Sequence, residues 1–539
     1  VKSAVKRSTI CRFTVEASNA SPQEEITMSD YSRLKSSPSA AVRANLDYPV
    51  IDTDVHTNDF TPALEDYISH YGGAALVDEL RRVESSRLNS RIDGKDWYQQ
   101  TPEERQYYRT TRSPWWARVT RNTLDLATYT LPELFYERQA EQGSDYSVLF
   151  PNNALAAAGA KPEHRQALQR AINHYHADLY RKYSDRLTPV AGIPTTTPQE
   201  AIEELEFAVK TLGLKVINIT GGVKRPIKSI ADKYPPDQFP EIAKYASYID
   251  FYGLDSEYDY DPFWAKVVEL GVPVTTHYGS QGWTGRSSIS NYMNNHIGHF
   301  ADGSQAFAKA LFFGGVTKRF PQLRVAMLEG GADWGAHVYA HLVDRFGKRN
   351  LKALQNYNPA LTNSDELFEL FERYGSEVTA GNSLDKAELT ESVLGSSFGR
   401  HSRQPVGSEL EDFAAAGIET VEDIRDRWVD SFFFGSESDD RTIAAAFNDK
   451  ANPLGVKINA IYSSDVGHWD VPDLTLPLAE SWALVEEGVI SEADFRSYVF
   501  ANPYKLYTEA NPDFFKGTAI ESKLGTIESK SVDRDLVTA

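Results

Sequence analysis

The chain has a single cysteine, Cys11, among 539 residues. An intrachain disulfide and a cysteine-built zinc site are therefore both excluded. No apolar run approaches the roughly 18 residues that cross a bilayer. The amino end, VKSAVKRSTICRF, is basic but lacks the apolar stretch of a secretory signal. Positive charge is in deficit: 56 Lys and Arg stand against 76 Asp and Glu, a net charge of −20. So acidic a chain does not hold nucleic acid by general electrostatics, and anionic membrane surfaces repel it. No GxGxxG follows a strand-like run and no GxxxxGK[ST] occurs, which leaves dinucleotide and P-loop readings without support. What these absences leave is a soluble, cytoplasmic protein.

Hydrophobic residues make up 41% of the chain, enough for a core of several layers. Residues 1–45 are rich in Ser, Ala, Lys, Arg and Glu with little periodicity, and read as a disordered N-terminal extension. The first methionine is Met28, so residues 1–27 are expected to be an over-extended start. From Tyr48 onward, short apolar runs alternate with helix-like segments. The runs are VIDTDVH (50–56), YSVLF (146–150), LTPVAGI (187–193), KVINIT (215–220), VPVTTH (272–277), LRVAMLE (323–329), SFFFG (431–435) and INAIYSS (458–464). Eight such units predict an α/β fold, a closed (β/α)8 TIM barrel over residues 46–515. Long inserted loops are expected at 57–143 and 347–430, and a C-terminal tail at 516–539. Within the first insertion, helical spacing from Thr130 ends at Gly143, a C-cap.

Chemistry in such a barrel sits where strands run into their following loops. In VIDTDVH, Asp52, Asp54 and His56 occupy alternate positions, so a strand would present all three on one face. The fifth run ends on His277, the sixth on Glu329, and the eighth leads into Asp465. Structural strands more often turn through Gly, Asn or Pro. Four strand ends bearing ligand-type side chains point to a metal centre. His468 follows Asp465 by three residues. His296 lies in YMNNHIGHF, ahead of the helix that leads to the sixth strand. Trp116, Arg118 and Arg121 pair aromatic surface with positive charge, a combination suited to binding an aromatic or carboxylate-bearing ligand.

VIDTDVH, VTTHYG, RFPQLRVAMLEGG and YSSDVGHWD, in this order, resemble the amidohydrolase-related family that includes aminocarboxymuconate semialdehyde decarboxylase. DFRSYVFANPYKLY resembles its closing helix, and the resemblance spans roughly residues 48–515. It implies a divalent metal, members that are hydrolases or non-oxidative decarboxylases, and pairing of subunits into a homo-oligomer. By position, Asp54, His56, His277 and Asp465 become the metal ligands. The family decarboxylases carry HxH on the first strand and a His on the sixth; here Asp54 and Glu329 stand in those places. Exchange of imidazole for carboxylate makes the site harder, so Mn or Fe suits it at least as well as Zn. Asp52 and Glu329 add negative charge that a second metal would offset. The leading expectation is a metal-dependent hydrolase of an amide, ester, lactone or thioester. Asp465 would accept the proton of water, and His468, His296 or Glu329 would serve the leaving group. The alternatives are decarboxylation of an aromatic or unsaturated acid, with Arg118 or Arg121 gripping the carboxylate, and a non-catalytic binding barrel.

Overall fold

The computed structural model describes residues 37–87, 95–114, 122–357, 361–383, 385–395 and 411–524. The eight apolar runs become eight strands: β1 Ile51–Thr57, β2 Tyr146–Pro151, β3 in two pieces, Leu187–Pro189 and Ala191–Ile193, β4 Ile217–Ile219, β5 Val274–Thr276, β6 Val325–Met327, β7 Phe432–Ser436 and β8 Ala460–Tyr462. Neighbours pair in parallel from β1 to β8. β3 makes the corner, its first piece pairing with β2 and its second with β4.

The ring closes just beyond β8. Val55 bridges Val466, His56 N–H donates to Val466 O at 2.8 Å, and Asp465 N–H donates to Asp54 O at 3.1 Å. One level lower, Thr53 Oγ1 donates to Tyr462 O at 2.8 Å. The expected TIM barrel is present. Its strands are apolar on both faces because helices cover the outside and side chains fill the inside.

Local chemistry sets the covering helices. Pro162 opens the helix Pro162–Tyr180 at its first turn, where a missing N–H costs nothing. Thr197 caps Pro198–Glu206, its hydroxyl accepting from Glu200 N–H at 3.2 Å. The helix expected to end at Gly143 is Pro132–Gln142, with Gly143 in the left-handed region at φ 81°. Fully buried Trp264, Trp428, Phe263, Phe307 and Phe312 fill the layer between helices and strands.

Four features depart from the sequence reading. Residues 38–44, assigned to a disordered extension, form a helix capped by Ser37, and Ser39 N–H donates to Thr475 O at 3.1 Å. Seven residues are too few to show a helical period, and the helix is set by its Ser37 cap and hydrogen bonds. The expected tail from 516 packs instead: Ile520 is fully buried, and Ala519 N–H donates to Asp185 O at 3.0 Å. An antiparallel ribbon, Val223–Pro226 with Ser247–Asp250, follows β4 and was not foreseen. The insertions carry helices beyond the one that ends at Gly143, among them Ser364–Tyr374 and Val421–Ser431.

Closure leaves no room at Gly467. Its φ is 102°, and a Cβ there would lie 2.1 Å from His56 O. Gly467→Ala is expected to destabilise the fold by roughly 2 kcal/mol or more, from backbone strain plus the clash. Chemical denaturation checks this; an unchanged midpoint would contradict the closure described.

Candidate metal centre

The closing bonds of the barrel also place its ligand-type side chains. His56 Nε2 lies 3.2 Å from Asp54 Oδ1 and 3.2 Å from Asp465 Oδ1. His277 Nε2 lies 2.9 Å from Asp54 Oδ1. His468 Nδ1 sits between Asp465 Oδ1 at 2.9 Å and Glu329 Oε1 at 3.0 Å. The imidazoles of His56 and His468 stack at 3.6 Å between centroids, and Phe150 packs edge-on to His277 at 4.5 Å. Two groups of converging donor atoms result, Asp54–His56–His277 and His56–Glu329–Asp465–His468, joined at His56. Glu329 and Asp465 both adopt left-handed backbone conformations, φ 57° and 55°. Such values are uncommon for residues other than Gly, Asn and Asp, and local strain of this kind gathers at functional sites.

These residues suit a divalent cation. Asp54 Oδ2, His56 Nε2 and Asp465 Oδ1 are buried and lack a hydrogen-bond partner of good geometry. Buried polar atoms are rarely left so, and a bound ion is a standard reason. The electrostatics lean the same way. Burial raises Asp54, but His277 and then His56 hold its carboxyl below the usual range. Burial likewise raises Asp465, but His468 and then His56 bring it below the usual range. His56 is opposed by burial and by His468, yet Asp465 and Asp54 lift it to about 9. For His468 burial is again outweighed, by Asp465 and then Glu329, and its pKa stands well above the ordinary value.

Asp52 does not join the group. The β1–β2 register shifts between Asp52 and Val55, setting three steps of β1 against two of β2. That bulge changes the parity of the strand, so Asp52 and His56 do not share a face. Asp52 instead accepts from Gln142 Nε2 at 2.6 Å and Ser464 N–H at 3.1 Å. Burial pushes it up to about 7. Gln142 Oε1 has no partner, and with its carboxamide turned over it would accept a proton carried by Asp52.

The group opens into a cavity of about 730 Å³. His296 lines it, its Nδ1 3.0 Å from Pro114 O and its ring stacked on Tyr292, outside both ligand groups. His299 also lines it, and burial lowers that imidazole to about 4. Trp116, Arg118 and Arg121 fall outside the described residues. The wall also holds groups that sequence reasoning passed over: Tyr129, Asn218, Trp469 and Asp470. Asn218 had a signal, a lone polar residue at the centre of the apolar run KVINIT. Tyr129 had none, because its place depends on how the first insertion folds back.

A family model described as amidohydrolase matches residues 51–349. The chain belongs to this amidohydrolase family. No curated protein matches it. Among solved structures, it is similar to an amidohydrolase from Mycobacterium avium subsp. paratuberculosis K-10, at 15% identity and a TM-score of 0.47, covering 86% of this chain and 100% of the other. It is similar to a 5-carboxyvanillate decarboxylase from Novosphingobium aromaticivorans DSM 12444, with bound manganese, at 12% identity and a TM-score of 0.45, covering 86% and 97%. It is also similar to a dihydroxybenzoic acid decarboxylase from Polaromonas sp. JS666, with bound manganese and 2-nitroresorcinol, at 15% identity and a TM-score of 0.42, covering 86% and 97%.

The position of Asp52 yields a prediction. A carboxyl at 3.8 when unfolded and about 7 when folded loses stability as pH rises between those values, because only the unfolded form ionises there. Asp52→Asn removes that loss. Its advantage over the parent should grow from pH 4 to pH 7, reaching on the order of 2–4 kcal/mol. Bound metal should be unchanged. Denaturation across pH and elemental analysis check both parts; loss of one metal equivalent would make Asp52 a ligand.

Proposed function

We propose that the chain is a metal-dependent hydrolase of a C–N or C–O bond in a small organic molecule. The observation that supports it best is His468 held between Asp465 and Glu329, beside three unsatisfied ligand atoms at the end of a cavity. Asp54, His56, His277 and Asp465 would hold one divalent ion, Mn, Fe or Zn. When bound, such an ion supplies Lewis acidity toward a carbonyl oxygen and acidifies water.

The chain's own groups then divide the proton work. Asp465, ionised despite burial, accepts a proton from the attacking water. His468 is kept protonated by two carboxylates on its Nδ1 side, which leaves Nε2 to donate to the departing nitrogen or oxygen. Glu329 orients that imidazole and stabilises its charge. This role suits a carboxylate in the place where the family decarboxylases carry His. A second metal would have to draw on Glu329 without Asp52, so a single ion is the simpler assignment.

Decarboxylation is the second reading, favoured by the same protonated His468, which could deliver a proton to a carbanion. Against it, the described cavity wall contains no Lys or Arg to grip a carboxylate.

Three outcomes test this. His277→Ala and Asp465→Asn should each lose most of the bound metal by elemental analysis while keeping the fold; full metal and activity in both would sink the assignment. Turnover should place isotopically labelled water oxygen in the product without release of CO2; the reverse would establish the lyase. Because His468 acts as an acid, kcat should fall as pH rises through its raised pKa. His468→Gln should remove that alkaline limb and lower kcat by about 10²–10⁴.

A further inference from the structure

Two other asparagines of this barrel are tied to backbone. Asn173 Nδ2 donates to Gly192 O at 2.9 Å and its Oδ1 accepts from Gly192 N–H at 2.9 Å. Asn459 Nδ2 donates to Phe432 O at 3.1 Å and also to Val429 O. Asn218 differs. It sits in the middle of β4, registered with Thr275, two residues below His277 on the neighbouring strand. Only 6% of it is exposed, it forms part of the cavity wall, and its Oδ1 has no hydrogen-bond partner. A buried carboxamide oxygen without a donor is destabilising, and an N–H arriving from the cavity would satisfy it.

The rest of the wall agrees with such a donor. Tyr129, Phe150 and Trp469 supply flat apolar surface. No Lys or Arg lies among the described lining residues.

We infer that the cavity takes a flat aromatic molecule bearing N–H groups, an aryl amide or amine rather than an ester or a carboxylate, and that Asn218 positions it by accepting from an N–H. The inference rests on the hydrolase reading for what is cleaved, and on Asn218 and the flat apolar wall for what is bound.

Titration calorimetry on the metal-loaded full chain separates the two. Four probes suffice: benzamide, N,N-dimethylbenzamide, benzylammonium and benzoate. Benzamide is expected to bind about five- to tenfold more tightly than its dimethyl analogue, the value of one buried hydrogen bond. Benzylammonium should also outbind benzoate. Asn218→Leu should bring the benzamide to dimethylbenzamide ratio near one. Asn218→Asp, which keeps an acceptor in place, should preserve it; this variant and the four-probe ranking carry the test if the Leu variant does not fold. Benzoate binding tightest, no measurable benzamide binding, or a ratio that survives in Asn218→Leu would each overturn the inference. If the ranking holds while no amide takes up labelled oxygen, the binding inference stands and the hydrolase reading alone fails.

Discussion

Residues 465–467 both close the barrel and carry its chemistry. The hydrogen bonds from His56 N–H to Val466 O and from Asp465 N–H to Asp54 O join the last strand to the first. The side chains of those bonded residues are the ones that converge. Asp54, His56 and Asp465 are therefore positioned by the same backbone contacts that complete the sheet, and their spacing cannot change without opening the barrel. The left-handed backbone at Asp465 and the tight fit of Gly467 against His56 are local costs of that arrangement. Helix Thr123–Thr128 steadies the loop from outside, with Asp125 accepting from Leu474 N–H at 2.9 Å while paired to buried Arg138 at 2.7 Å.

The second constraint is electrostatic. Taking a carboxylate out of water costs several kcal/mol unless a cation or hydrogen bonds compensate. Asp54 and Asp465 are both buried yet held below the usual carboxylate range, and His56 and His468 are drawn toward the charged form. The cluster has a demand for positive charge that protons meet in part. Asp52 lies two residues from Asp54 and behaves in the opposite way. Among the described residues no cation pairs with it, so burial pushes it up to about 7, and Gln142 and Ser464 hold it. One short strand thus carries a carboxylate held ionised and another whose ionisation burial resists, divided by a single bulge.

Much of this was legible in the sequence. Eight apolar runs ending in polar residues gave the barrel, because parallel strands covered by helices are apolar on both faces. The same runs located His56, His277, Glu329 and Asp465, since each follows its run directly. The amidohydrolase match over residues 51–349 agrees with the family resemblance carried by those motifs. What could not be read was anything fixed by register or by distant packing. Strict alternation put Asp52 beside Asp54, and a bulge has no signature in a seven-residue run. The partners of His468 were invisible for the same reason: Asp465 is three residues away, but Glu329 arrives from another strand. The helix at 38–44 was missed because hydrogen bonds and a capping serine hold it, not an apolar stripe. Residues 115–121, where an arginine grip was expected, lie outside the described residues.

The central claim is that Asp54, His56, His277 and Asp465 converge on one divalent cation. Anomalous diffraction from crystals of the purified protein, collected on both sides of the Mn, Fe and Zn absorption edges, tests it most directly. The account predicts one strong peak within bonding distance of His56 Nε2, Asp54 Oδ2 and Asp465 Oδ1. A site with no peak, in which His56 bonds directly to the two carboxylates in protein that turns over its substrate, would contradict it.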